Sequence, residues 1–304
     1  MSGLLDFLTP DETAAQFLAR THAEPISTGL FFAVALRPGQ VLEVCGPSST
    51  AKSEILIQVA AGRLLPKFWQ GLLVGGYCEH VVLYDLDRKF DSIRLYHVIL
   101  TRLRNLAGPQ QLREDDVIAA AEEAFGRFRL VQCSSSLHLL AALKTADALL
   151  SSCKETGSVK LLLLDNIAAF YWIDRATTEL PEYALQSEWD AQMSLQQAHA
   201  CIAAELAHLL RERRLVLIAT RHSALSAGGF DRGEVQDAWA FREFLPKPWQ
   251  DLVTMRVLVR GHSQSRKLSA SMTHEQPSFA AKWQMPHADA VQNFVVTEHM
   301  LLQC

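Results

Sequence analysis

The segment Gly46-Pro47-Ser48-Ser49-Thr50-Ala51-Lys52-Ser53 constrains this chain more than any other stretch. It follows the apolar run Val41–Cys45 and opens an apolar-periodic stretch, Lys52–Leu64, that stops before Pro66. A buried strand, a loop of small and hydroxyl residues, then a helix starting on Lys-Ser is what a phosphate-binding P-loop requires. Its chemistry needs backbone N–H groups in a concave loop, a helix N-terminus facing the phosphates, a lysine reaching them and a hydroxyl on Mg²⁺. Gly46 to Ala51 supply the loop, Lys52 the cation and Ser53 the hydroxyl. The pattern G-x-x-x-x-G-K-[ST] has glycine where Ala51 stands. If the backbone there takes a positive φ, a Cβ costs about 1 kcal/mol and crowds the phosphates. A P-loop fold is expected, with full nucleotide affinity less so.

The rest of the chain alternates as an α/β protein does. Strands are expected at Val81–Asp85, Phe128–Cys133, Lys160–Asp165 and Leu215–Thr220. Helices are expected at about Asp91–Leu106, Glu114–Phe125, Leu137–Cys153 and Ser187–Arg213. The strands are nearly continuous apolar runs, the mark of a parallel sheet covered by helices on both faces. After Thr220 the pattern changes. Residues 223–235 read as a Ser/Gly-rich loop, and Thr254–Arg260, Lys267–Met272 and Phe294–Thr297 as short strands of a C-terminal mixed or antiparallel extension. Residues 1–25 form a helical segment with apolar Leu4, Phe7, Leu8, Phe17 and Leu18, and 26–304 form one core domain.

Two further acidic positions belong with the phosphate loop. Leu161–Leu164 ends in Asp165, and ligands of doubly wound sheets gather at the carboxyl ends of strands. Asp165 is therefore expected near Ser53, the two holding Mg²⁺. The strand Val81–Asp85 runs on into Leu86-Asp87. A carboxylate here either orients an attacking water, with Asp87 the candidate catalytic residue, or begins a loop that caps the next helix.

Composition narrows the partners. A net charge of −4 and a pI near 6.3 give no hint of the basic face that DNA binding usually needs. Six cysteines without CxxC spacing read as reduced core residues, and the scattered histidines at 97, 138, 199 and 208 as helix surface or core rather than a metal set. The longest apolar runs are strand-sized, and the N-terminus lacks a basic leader, so no membrane and a cytosolic or nuclear place are expected.

Taken together, residues 26–29, the P-loop, the Asp85–Phe90 turn and the Leu161–Asp165 strand resemble the RecA-type recombinases of eukaryotes and their paralogues. Residues 131–140 and 164–175, which include Cys133-Ser134-Ser135-Ser136 and Phe170–Arg175, are similar to one DNA-repair paralogue of that family, as are Lys247–Val253 and Cys304. The resemblance implies a RecA-like P-loop core that binds ATP and Mg. It also implies a nuclear role in homologous-recombination repair of DNA breaks and stalled forks, within a heteromeric complex of recombinase paralogues that brings DNA to this chain. That paralogue is similar in lacking the family's separate N-terminal domain.

This chain departs from the family's pattern at Ala51, at Asp87 where active members carry Glu, and at Arg221-His222 where a Gln senses the γ-phosphate. The loops matching the family's DNA contacts, about 174–187 and 223–239, are more acidic than basic. Phe32–Ala35 matches an oligomerisation pattern but lies so close to the P-loop that it reads as a core strand. The expected function is thus docking within a repair complex, on an ATPase fold with weak or absent hydrolysis. The alternatives are an active DNA-stimulated ATPase, or an unrelated small-molecule kinase, whose lid of clustered arginines is not evident. Docking candidates are the N-terminal apolar residues and the exposed-looking stretch Phe241–Trp249, and core packing accounts for either equally well.

Overall fold

The computed structural model describes residues 14, 25–28, 35–107, 113–153, 157–178, 194–223, 239, 242–261, 277–286, 288 and 290–303. The N-terminal segment, Phe32–Val34, Phe241, the strand expected at 267–272 and most of both acidic loops lie outside them.

The elements run β1 (Val41–Gly46), α1 (Lys52–Leu64), β2 (Phe68–Trp69), β3 (Leu72–Leu73), β4 (His80–Asp85), α2 (Ser92–Ala107), α3 (Glu114–Phe125) and β5 (Phe128–Gln132). They continue with α4 (Ser136–Lys144), α5 (Ala146–Cys153), β6 (Val159–Asp165), α6 (Tyr171–Thr178), α7 (Leu195–Glu212) and β7 (Val216–His222). The chain closes with α8 (Lys247–Leu252), β8 (Met255–Gly261), β9 (Ser278–Met285), β10 (Val291–Val296) and β11 (Leu301–Gln303).

Nine strands form one sheet in the order β11-β10-β9-β8-β1-β7-β6-β4-β5. From β8 to β5 all neighbours are parallel, while β8-β9, β9-β10 and β10-β11 pair antiparallel. This is the α/β core with a C-terminal antiparallel part that the sequence implied. Alternate residues of the central strands β1, β4, β6 and β7 enter opposite cores. Leu42, Val44, Leu83 and Leu163 pack under α1–α3, with Ile55, Leu95, Ile99 and Val117. Val41, Val82, Leu164 and Leu217 pack against α4, α5, α7 and α8, with Leu139, Leu150, Leu206 and Trp249. Burying these central strands on both faces is why their sequences are nearly continuous apolar runs.

Several boundaries moved for physical reasons. The helix expected over 137–153 is two, because Thr145 closes α4 with its hydroxyl on Ala141 O at 3.0 Å. The last long helix starts at Leu195, where Ser194 and Gln197 form a capping box. Strand β9 was not foreseen at all. Cys45, Cys133 and Cys153 are buried as expected, but Cys78 and Cys201 are exposed. The stretch offered as an exposed docking surface is in part core, since Leu245 is buried and Trp249 has no exposed surface.

Candidate functional site: a phosphate cleft at the strand ends

Register brings the sequence-remote positions together. On the parallel ladders Asp85 lies opposite Asp165, and Gly46 opposite His222, so β1, β4, β6 and β7 all end at one edge. There a cleft of about 490 Å³ opens, lined among others by Ser48, Ser49, Lys52, Ser53, Asp87 and Asp165.

The loop keeps the backbone shape that phosphate binding needs. Gly46 is required: a Cβ there would stand 2.4 Å from Val259 O and 2.6 Å from Thr50 Oγ1. Ser49 and Ala51 both take left-handed backbone, φ 60 and φ 61. The condition set by the sequence is met, and Ala51 carries strain of about 1 kcal/mol. Its methyl, however, packs against the hydrophobic core under α1–α3 and does not line the cleft. Thr50 Oγ1 donates to Pro47 O at 2.9 Å and pins the loop.

Lys52 and Ser53 open α1 beside the loop. Lys52 Nζ donates to Pro47 O at 2.5 Å, and burial lowers its pKa against the opposing pull of Asp165. Ser53 Oγ donates to Asp165 Oδ2 at 2.6 Å, while Thr220 Oγ1 donates to Asp165 Oδ1. Burial raises the Asp165 pKa, and these two hydroxyls resist that shift.

Asp85 and Asp87 sit in different surroundings. Asp85 is fully buried and accepts from the N–H groups of Lys89 at 3.3 Å and Phe90 at 3.4 Å, holding the turn. The cap of α2 is neither of them: Asp91 Oδ1 accepts from Arg94 N–H at 2.8 Å. Asp87 lines the cleft. Its Oδ2 accepts from Asn166 Nδ2 at 3.4 Å, and its Oδ1 is buried with no hydrogen-bond partner among the described residues.

These residues fit a magnesium nucleotide. The N-terminus of α1 has no side-chain cap, so its first N–H groups suit an anion. The orphan Asp87 Oδ1 and the joined Ser53–Asp165 pair suit a cation and its waters.

Arg221 goes elsewhere. Its side chain is wholly buried, 3.6 Å from Glu43 Oε1, and it also donates to Glu243 Oε1. Glu43 accepts from Trp249 Nε1 at 2.7 Å and from Arg256 Nε, and Arg256 Nη2 reaches Glu243 Oε2 at 3.0 Å. The cleft receives His222 instead, whose pKa is lowered by burial and by Lys52 and Lys89. Sequence reasoning passed over Glu43. Its only signal was a carboxylate in the middle of an apolar strand.

No family model matches the chain. It is 31% identical to the protein named "DNA repair protein XRCC2 homolog" of Arabidopsis thaliana over 327 residues, 95% of this chain and 87% of that protein. It is likewise 31% identical to "DNA repair protein XRCC2" of Mus musculus over 241 residues, 77% of each chain.

Proposed function

Since the chain belongs to the XRCC2 family of DNA repair proteins, we propose that it acts in DNA repair as a subunit of a heteromeric complex of recombinase paralogues. Its task there is to support homologous recombination at breaks and stalled forks in the nucleus, mainly by docking. None of the described helices is long and apolar enough to cross a membrane.

The observation that carries the docking reading is the sequestration of Arg221. Phosphoryl transfer is catalysed by positioned charge around the departing phosphate. In this cleft Lys52 is the cation fixed beside the loop, Lys89 stands in solvent with 79% of its side chain exposed, and Arg221 is turned into the core. Such a cleft supports binding better than turnover. Lys52 would hold phosphate oxygens, and Ser53 with Asp165 would hold Mg²⁺. Bound Mg²⁺ would neutralise phosphate charge. Asp87 would orient a water through its orphan oxygen. Docking is also supported by Trp172, 65% exposed at the cleft mouth, and by its neighbour Ile173, 64% exposed.

Two measurements on one variant test this. Lys52→Ala should weaken Mg-ATP binding tenfold to a hundredfold, about the worth of a charge-assisted hydrogen bond. It should leave co-purification with another recombinase paralogue nearly unchanged. A brisk, DNA-stimulated ATP turnover abolished by that substitution would replace the docking reading with an ATPase one. Failure to associate with any recombinase paralogue would end the complex-subunit reading.

A further inference from the structure

The end of α1 far from the phosphate loop carries two adjoining cavities. The first, of about 320 Å³, is lined by Leu65, Val74, Leu106 and Met300 over Gly62 and Gly75. The second, of about 200 Å³, is lined by Thr28, Gln58 and Tyr77 and shares Gly62, Gly75 and Met300 with the first. Arg102, on α2, lines both.

Arg102 is partly buried, yet its hydrogen bonds all go to neutral oxygens. Nε donates to His299 O at 2.8 Å, and Nη2 to Gln58 Oε1 at 2.5 Å and Gln58 O at 3.5 Å. The carboxylate behind this network is Glu54, which pairs with Arg94 at 2.9 Å. It reaches Arg102 only through Gln58, whose Nε2 donates to Glu54 Oε1 at 2.7 Å. Two guanidinium groups thus share one carboxylate. Arg63, Arg221 and Arg256 are also buried, and each pairs with a glutamate. Arg102 pairs with none among the described residues, and burial lowers its pKa to about 10 against the pull of Glu54. A cation drawn from water without a counter-charge destabilises the fold. Its Nη1 has no hydrogen-bond partner among the described residues.

Two further observations point to an occupant. Thr28 is buried, and its Oγ1 has no hydrogen-bond partner among the described residues. Gly62 stands inside α1, where glycine is less stable than alanine. Packing does not demand it, since a Cβ there would meet nothing nearer than Arg102 Nη1 at 3.8 Å. What glycine preserves is open space in front of the guanidinium.

We propose that these cavities bind a small apolar carboxylate, an aliphatic or aromatic acid. Its carboxylate would meet Arg102 Nη1 and its body would fill the first cavity, with Thr28 left to serve a polar substituent reaching the second. A carboxylate suits the site because one guanidinium offers one charge and a paired donor geometry, and the surrounding walls are apolar. A small molecule suits it because the volume lies at the lower end of the range for ligand pockets. The site is apart from the P-loop cleft and does not depend on what binds there.

The test titrates the full chain by calorimetry with octanoate, with octanol as its uncharged counterpart and with inorganic phosphate. Octanoate should bind at least about tenfold more tightly than either, the worth of a charge-assisted hydrogen bond. Arg102→Gln should weaken octanoate at least about tenfold and leave octanol within about threefold. Gly62→Leu keeps a good helix former in α1 and fills the first cavity. It should weaken octanoate and octanol alike and melt no lower than wild type. The proposal is overturned by a wild-type chain that takes octanoate no better than octanol, or by an Arg102→Gln protein that binds octanoate as tightly as wild type. If Arg102→Gln does not fold, Gly62→Leu decides alone: undiminished octanoate binding, or a lower melting temperature, overturns the proposal. Tighter binding of inorganic phosphate would make this a bare anion site, and tighter binding of acetyl-Leu-Glu-amide a peptide-docking one. Either result overturns it too.

Discussion

Two polar regions share strands β1 and β7, and they are built to opposite rules. In the buried one, Glu43, Arg221, Arg256, Glu243 and Trp249 pair with one another by charge and hydrogen bond across β1, β7, β8 and α8. In the cleft, Lys52 rests on a backbone carbonyl, Asp87 Oδ1 has no hydrogen-bond partner among the described residues, and α1 begins without a side-chain cap. Buried polar groups whose partners all come from the chain fix the fold. Polar groups left to be partnered from outside mark a binding site. The contrast explains how an arginine at the end of β7 belongs to the first region while its neighbour His222 belongs to the second.

The largest effect expected is on the closed region. Glu43→Gln leaves two buried arginines short of charge and should cost about 3–5 kcal/mol, read as a lower urea midpoint. A loss under about 1 kcal/mol would show that the network is not the closed element described above.

A pH titration sharpens the comparison through a buried imidazole outside both regions. His199 lies on the inner face of α7, its Nδ1 buried without a hydrogen-bond partner among the described residues, and burial lowers its pKa from 6.5 to about 4. Because the folded value lies below the unfolded one, the stability tied to it is intact above pH 6.5 and is lost as pH falls toward 4. Between about pH 7.5 and 5 the loss should reach about 2 kcal/mol. His199→Leu should flatten that slope, and an unchanged slope would place the titrating group elsewhere.

The smallest effect concerns the open region. Ala51→Gly removes strain of about 1 kcal/mol but loosens the unfolded chain by a similar amount. Stability should change by less than about 1 kcal/mol. Since the methyl packs on the core, nucleotide affinity should change less than about threefold, which is under 1 kcal/mol. A tenfold gain in a nucleotide titration would show that the methyl obstructs the phosphates after all.

Much of this was legible in the residues themselves. The bounds of α1 and α3 match the sequence reading, because Lys52–Leu64 and Glu114–Phe125 are set by local signals: the loop before one helix, the acidic first turn of the other and Pro66 or Gly126 beyond them. Strands β4 and β6 were visible as apolar runs ending in aspartate. The weakest stretch was the C-terminal extension, where β9 is held by its neighbours β8 and β10 and by Phe279 stacking on Phe294. None of those contacts is local.

The sequence by itself determined the P-loop, the parallel α/β core and the residues that would meet a phosphate, since each depends on neighbours within a few positions. Only the tertiary structure decided what those residues face. It set Ser53 against Asp165, turned Arg221 away to Glu43 and Glu243, and gave the helix cap to Asp91 while Asp87 kept an orphan oxygen in the cleft. Strand order and register fix such meetings, and they follow from how whole faces bury together rather than from any local run of residues.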